Sequence, residues 1–444
     1  MGSGDLADGD SGDLGSRIDD SAAATPSELA RTADAHWLAA ALADSRAQTL
    51  ATFAALQQAL AATGRAIPAL AQFNPPLWEL GHIGWFQSHW TSRNPQHGRG
   101  WDADPDAPRM PAPHAPSGAD ADALYDSSNV PHATRFGLPL PDADGTRADL
   151  AAQLDRTLAM LNHAPHDDRA LYFHRLVLLH EDMHHEAALY MADALDLALP
   201  GDALRLTALP PPGPALRFGP TRWRLGSSGG GFAFDNEWPA HAVDLGAFAI
   251  DAQAVRWAEF MPFIETGGYD DPRFWSAAGR DWLGSQARAA GAERLPAALR
   301  KDGDGRWQMR DRSRWQALDA SLPACHLTHF EAEAWCAWAG RRLPTEAEWE
   351  CAALSSAPTA FRWGDLWEWT ATPFVPYPGF IAHPYRDYSA PWFGSRPVLK
   401  GASFATSPRL RHPRYRNYFT PERCDIHAGF RSCAPDREAP ARAR

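Results

Sequence analysis

The sequence predicts two unlike domains in one chain: a bundle of long helices followed by an irregular α+β domain. Three observations carry this. Apolar residues recur with helical period, in Ala- and Leu-rich segments, up to about residue 200. A proline-rich stretch, PGDALRLTALPPPGPALRFGPTR (200–222), interrupts the pattern. Beyond it come short strand-like runs, glycine turns and dispersed tryptophans, many of the chain's 19. At 444 residues the chain is also too long for one small core.

Residues 1–30 are acidic and Gly/Ser-rich and lack an apolar core, so they read as a disordered leader and not as a signal peptide. The first long helix is expected over 34–63. Asn74, followed by Pro75 and Pro76, reads as the cap of a second helix running to about Thr91. The polar stretch 94–146 reads as a long crossover loop, and 147–163 and 168–196 as the third and fourth helices. Four helices with one long connection make a four-helix bundle, placed at 31–205. In the second domain, 206–436, Thr328-x-x-Glu331 and Thr345-x-x-Glu348 are capping boxes that open two short helices, the first stopped by Gly340. Residues 437–444 form a frayed tail.

A formal charge of −12 argues against nucleic acid or an anionic membrane as partner. No apolar run is long enough to span a bilayer. Five cysteines without a CxxC pair suit reduced thiols in a cytoplasmic protein.

The chemistry concentrates in HEDMHHE on the fourth helix. His180 and His184 lie one turn apart on the face that carries Phe173, Leu176, Val177, Ala187, Ala188 and Met191. Imidazoles embedded in an apolar stripe need partners, and a shared metal satisfies both. Hydrogen bonds to neighbours are the plainer alternative. His82, among Leu80, Ile83, Trp85 and Phe86 on the second helix, supplies a third ligand and leaves open positions for substrate. His89 shares nearly the same face about 10 Å further along, so spacing alone leaves it an alternative to His82. His174 and His185 read as solvated or outer residues, and Glu181, Asp182 and Glu186 as surface charge.

A lone histidine on helix two with HxxxH on helix four resembles the DinB-type bundle. FAFDNEWP (232–239), PACHLTHFEAEAWCAWAGRRLPTEAEWECAA (323–353), GDLWEWT (364–370), KGASF (400–404) and AGFR (428–431) resemble the formylglycine-generating-enzyme domain, a C-type-lectin-like fold. Their fusion, over roughly 35–434, resembles the iron sulfoxide synthases of ergothioneine and ovothiol biosynthesis. That resemblance implies Fe(II) on His82, His180 and His184. It implies hercynine (N-trimethylhistidine), a sulfur donor and O2 as substrates, with Asn417 at the betaine and Tyr377 as the proton-delivering tyrosine. No cysteine occurs in 403–417, where true formylglycine-generating enzymes bind copper, so this domain is expected to be a wall supplying substrate contacts.

The chain departs from the family at the substrate pocket. Met183 replaces a glutamine that meets the betaine. Tyr418 and Phe419 follow Asn417, where users of γ-glutamylcysteine carry an acid. Asp126, Ser127, Ser128 and Asn129 stand where many relatives have Asn-Ser-Tyr-Tyr, so small hydroxyl and amide groups replace bulky phenols. Small hydroxyls and a carboxylate suit a polyhydroxylated ligand, and the set resembles the selenoneine synthase branch, which takes a seleno-sugar donor. Two rivals remain at this level: a zinc-dependent DinB-type thiol S-transferase, and a non-catalytic sensor or glycan-binding module.

Overall fold

The computed structural model describes residues 24–112, 115–199, 205–290, 294–311 and 314–435. Residues 1–23, most of the expected leader, and the 437–444 tail lie outside them. Residues 26–30 correct the leader reading. Thr25 caps a short helix, α1 (Pro26–Thr32), through a capping box with Glu28, and Pro26 occupies its first position. Arg31 on α1 is buried in an ion pair with Glu237, far along the chain.

Four long helices follow: α2 (Ala35–Thr63), α3 (Pro76–Trp90), α5 (Ala143–Leu161) and α6 (Asp168–Ala194), with a short α4 (Ala121–Tyr125) inside the α3–α5 crossover. α2 packs on α6, α3 on α5, and α3 also meets α6. Aspartates cap α2 (Asp34), α5 (Asp142) and α6 (Asp167) with side-chain hydrogen bonds to the first turn. Asn74 does not cap α3. Pro75 takes that place, and the Asn74 amide instead donates to Glu79 one turn into the helix.

The second domain is irregular α+β, as expected. Strands β1 (Leu216–Phe218) and β4 (Phe248–Ile250) pair, as do β2 (Thr221–Leu225) and β3 (His241–Leu245). Strands β5 (Leu299–Lys301), β6 (Trp307–Asp311) and β7 (Arg314–Ala317) form a meander. The central sheet runs β10 (Asn417–Tyr418), β9 (Pro397–Lys400), β8 (Trp367–Pro373), β11 (Ala428–Gly429), with β11 parallel to β8 and the other pairs antiparallel. Helices α7 (Trp257–Glu265), α8 (Ala277–Ala290), α9 (His329–Trp338) and α10 (Glu346–Ser355) complete it; α9 and α10 start at the two capping boxes. All five cysteines are free thiols. Among the described residues no helix is long and apolar enough to cross a membrane.

The two halves are joined along α6, and here the sequence reading is corrected. Glu181, Asp182 and Glu186 are buried, as is His174 at 1% exposure. Glu181 pairs with Arg46 of α2. Asp182 accepts from Arg409 and Ser407 of the second domain and from Ser45 of α2. One oxygen of Glu186 accepts from the Trp367 indole and from the hydroxyls of Ser403 and Thr406. α6 is therefore covered on both sides, and each carboxylate that periodicity assigned to solvent is matched by donors. His185 is half-buried, with Nε2 2.8 Å from Thr52 Oγ1.

Candidate metal centre

His82 on α3 and His180 and His184 on α6 come together where the two helices meet. One ligand atom from each lies within 4.8 Å of the others. The Nε2 atoms of His180 and His184 are 3.2 Å apart. Two nitrogens each ~2.1 Å from one ion at tetrahedral or octahedral angles are separated by roughly 3.0–3.4 Å, so this pair already has metal-binding spacing.

The tautomers are set from outside the cluster. His82 Nδ1 donates to the Tyr125 carbonyl at 2.8 Å, and His184 Nδ1 donates to the Glu79 carboxylate. Both rings therefore present a lone pair on Nε2 to the centre. A proton between His180 and His184 would satisfy that pair alone, and no described group donates to His82 Nε2. A cation shared by three neutral imidazoles satisfies the whole set, so the residues fit a metal. Burial, and then His184, bring the His82 imidazole down to about 3. Burial, followed by His184 and His82, pushes His180 well below its ordinary value. Burial alone would raise the Glu79 carboxyl, but its contacts with His184, and then with His82 and Asn74, outweigh that and hold it at about 2.

The surroundings explain how the sequence builds this. Trp78 stacks on His82 at 4.9 Å and Phe86 on His180 at 3.5 Å between ring centroids, fixing both imidazole planes. In LGHIG, Gly81 packs against Tyr125 so closely that a Cβ would lie 2.2 Å from its ring. That approach brings the Tyr125 carbonyl to His82. Glu79 was missed in the sequence, although its i, i+3 spacing from His82 places both on one side of α3. Behind it, Asn74 donates to Glu79, and Arg135 donates to Asn74 at 3.1 Å while covering Trp78. His89 is not in the cluster; its ring lies against Trp85 and Trp90.

The other candidates divide. Met183 is drawn in: Tyr415 donates to its sulfur at 3.2 Å, and Tyr388 lies 3.8 Å from the same sulfur and 3.0 Å from Tyr415. Tyr418 donates to the Tyr388 carbonyl and stacks on Phe374. Asn417 is half-buried in β10 and accepts from the Tyr418 amide. Phe419 packs on Tyr190 and under Arg423. Asp126 closes its own turn, accepting from the Ser128 amide and the Asn129 side chain, and the Ser127 carbonyl accepts from Arg135. Ser128 donates to Asp387, which pins this loop beside Tyr388.

Tyr377 is placed elsewhere. The turn through Pro378 and Gly379 directs its ring into a separate buried cluster with Leu225 and Ala347, against His241 and over the Arg416 guanidinium. None of these neighbours touches the three histidines. The phenol that stands over them is Tyr385, with its ring 4.9 Å from Phe86 and 6.3 Å from His180, both edge-on. Its YRDY context (385–388) is unremarkable in the sequence; only the fold shows which tyrosine of this loop turns inward.

A family model described as sulfatase-modifying factor enzyme 1-like domain matches residues 220–365. The chain is similar to the hercynine oxygenase of Mycolicibacterium smegmatis, at 34% identity over 81% of this chain and 92% of that protein. It is also similar to the hercynine oxygenase of Mycobacterium tuberculosis, at 31% identity over 81% and 90%. The formylglycine-generating enzyme of Streptomyces coelicolor is 30% identical over 51% of this chain.

Proposed function

The chain belongs to the hercynine oxygenase family, and from that premise we propose that it is an iron(II) enzyme that uses O2 to join a sulfur or selenium donor to the imidazole of hercynine. The observation that carries this reading is the set of three imidazoles gathered from α3 and α6, with Tyr385 against His180. His82, His180 and His184 would hold the iron. When bound, the iron supplies the redox chemistry that O2 requires and a cationic centre for an imidazole nitrogen and a thiolate or selenolate.

Coupling an imidazole C–H to a thiol or selenol removes two electrons and two protons. Oxygenating the chalcogen removes two more electrons, and the four together reduce O2 to the chalcogen-bound oxygen and water. The chain's part is positioning and exclusion of water. Phe86, Trp78 and Tyr385 wall the reacting volume. The phenols of Tyr388 and Tyr415 and the Met183 sulfur line the junction between the domains. Tyr385 takes over the proton-delivering role that the sequence assigned to Tyr377, and Asn417 and Tyr418 face the betaine.

For the donor we favour a seleno-sugar. Phe419 offers no carboxylate to an amino group, and the Asp126–Ser128 loop presents small polar groups and is held to the tyrosine segment by Ser128. Cysteine or γ-glutamylcysteine is the alternative. Aerobic incubation of the Fe(II)-loaded protein with hercynine and each of a seleno-sugar, its thio analogue, cysteine and γ-glutamylcysteine separates them by product mass. The seleno-sugar adduct is expected to dominate. A dominant γ-glutamylcysteine adduct would overturn the donor assignment, and hercynine left intact by every donor would overturn the activity.

A further inference from the structure

A second cavity, of about 220 Å³, lies between α1, the start of α6 and the second domain, and no step of the proposed reaction uses it. Tyr172 and Phe232 separate it from the tyrosine cluster at the metal centre, for Tyr172 packs on Phe173 on one side and lines the cavity on the other. Its walls are aromatic: Trp101 meets Tyr172 edge-on at 6.1 Å, and Trp238 lies against His383.

Its floor is cationic. The buried cations nearby have close carboxylates: Arg31 has Glu237, Lys400 has Glu350, and Arg416 has Glu346. Arg414, half-buried, has only a long contact. Its closest carboxylate is Glu350 at 3.9 Å, which already accepts from Lys400 and the Gly226 amide, and its buried Nε has no hydrogen-bond partner. Beside it, His412 Nδ1 accepts from the Arg414 amide, which leaves its other nitrogen as a donor. Burial, and then Arg31, Arg414 and Lys400, push the His412 imidazole well below its ordinary value, a sign of the positive field there.

The rim is the loop SSGGG (227–231). Gly229, Gly230 and Gly231 all have left-handed φ, from 72° to 99°, and a Cβ on Gly229 or Gly230 would meet open space. No described residue accepts from the backbone N–H of Ser228, Gly229 or Gly230, all exposed. Successive free amides in such a turn form an anion-binding concavity. Glu28, the one carboxylate in the lining, is engaged in the α1 capping box.

We propose that this cavity is a second ligand site, separate from the metal centre, for a small oxyanion-bearing molecule. Its carboxylate or phosphate meets Arg414, His412 and the 228–230 amides, and its flat apolar body lies between Trp101 and Trp238. Calorimetric titration of the full chain with phenyl phosphate, benzoate and benzyl alcohol tests this. Phenyl phosphate or benzoate binds and benzyl alcohol does not; the tighter of the two anions shows whether phosphate or carboxylate is the natural head group. Arg414→Gln and Trp101→Leu each weaken that binding at least tenfold, while His180→Ala leaves it unchanged. Hydrogen exchange at 227–231 slows on addition of the bound anion, a readout that holds even where a variant fails to fold. Absence of binding by both anions, equal affinity in Arg414→Gln, or loss of binding in His180→Ala would overturn the proposal.

Discussion

His184 turns one nitrogen to the centre of the histidine cluster because the other is taken by Glu79. An acceptor on the far side of a ligating imidazole fixes its orientation and raises its basicity, and its loss typically costs 10–100-fold in metal affinity. Glu79→Gln keeps the shape and removes the charge. It is expected to weaken iron binding by about tenfold or more, measured by competition with a chromophoric chelator. His82→Ala and His180→Ala should lose stoichiometric iron, whereas His89→Ala should keep it; iron retained in His82→Ala and lost in His89→Ala would reverse the assignment. The histidines themselves were legible because two of them share one helical face. Spacing alone could not choose between His82 and His89, since both lie on the same side of α3. Which tyrosine reaches the centre was not legible, because loop tyrosines carry no periodicity and the direction of Tyr377 depends on a turn packed against strands from elsewhere in the chain.

At the scale of elements, α6 is the member on which both domains rest. Helical period describes a helix with one buried side, and the first long helix of the bundle was found from it, while the second was found from the Asn74-Pro75-Pro76 start signal. The same argument failed for Asp182 and Glu186, because the second domain covers the side of α6 that a free-standing bundle would expose, and for Glu181, which Arg46 of α2 meets inside the bundle. Arg409, Ser403 and Thr406 lie more than 200 residues away in sequence from the carboxylates they meet. Removing one partner of a buried ion pair leaves the other charge unmatched and costs ~3–5 kcal/mol. Arg409→Ala should therefore destabilise the protein by about that amount in denaturant unfolding, with Asp182 stranded. A change below about 1 kcal/mol would mean that the junction is open to water. The capping boxes at α9 and α10 were plain in the sequence because their chemistry is local, and the one at α1 was equally local but lay within a stretch read as leader.

Across the whole molecule, the domain junction also holds Asp235, 2% exposed, which accepts from the Ser389 hydroxyl and leaves its second oxygen unpartnered. Burial raises its carboxyl from 3.8 to about 6, against the opposing hydrogen bond from Ser389. A carboxyl raised in the folded state favours folding while protonated, so its contribution is lost as pH rises between about 4 and 6. Asp235→Asn removes that titration. Relative to the wild type, the variant should gain about 1 kcal/mol between pH 5 and pH 7, by chemical unfolding at both values. No relative gain would show that this carboxyl is ionised without penalty in the folded chain.

If three histidines hold an iron that couples O2 to hercynine, O2 uptake must keep pace with hercynine loss. With donor present, the Fe(II)-loaded protein should consume one O2 per hercynine, and the zinc-loaded protein and His180→Ala should consume none. Hercynine conversion by the zinc-loaded protein without O2 would rule out an iron oxygenase and point to a zinc thiol transferase.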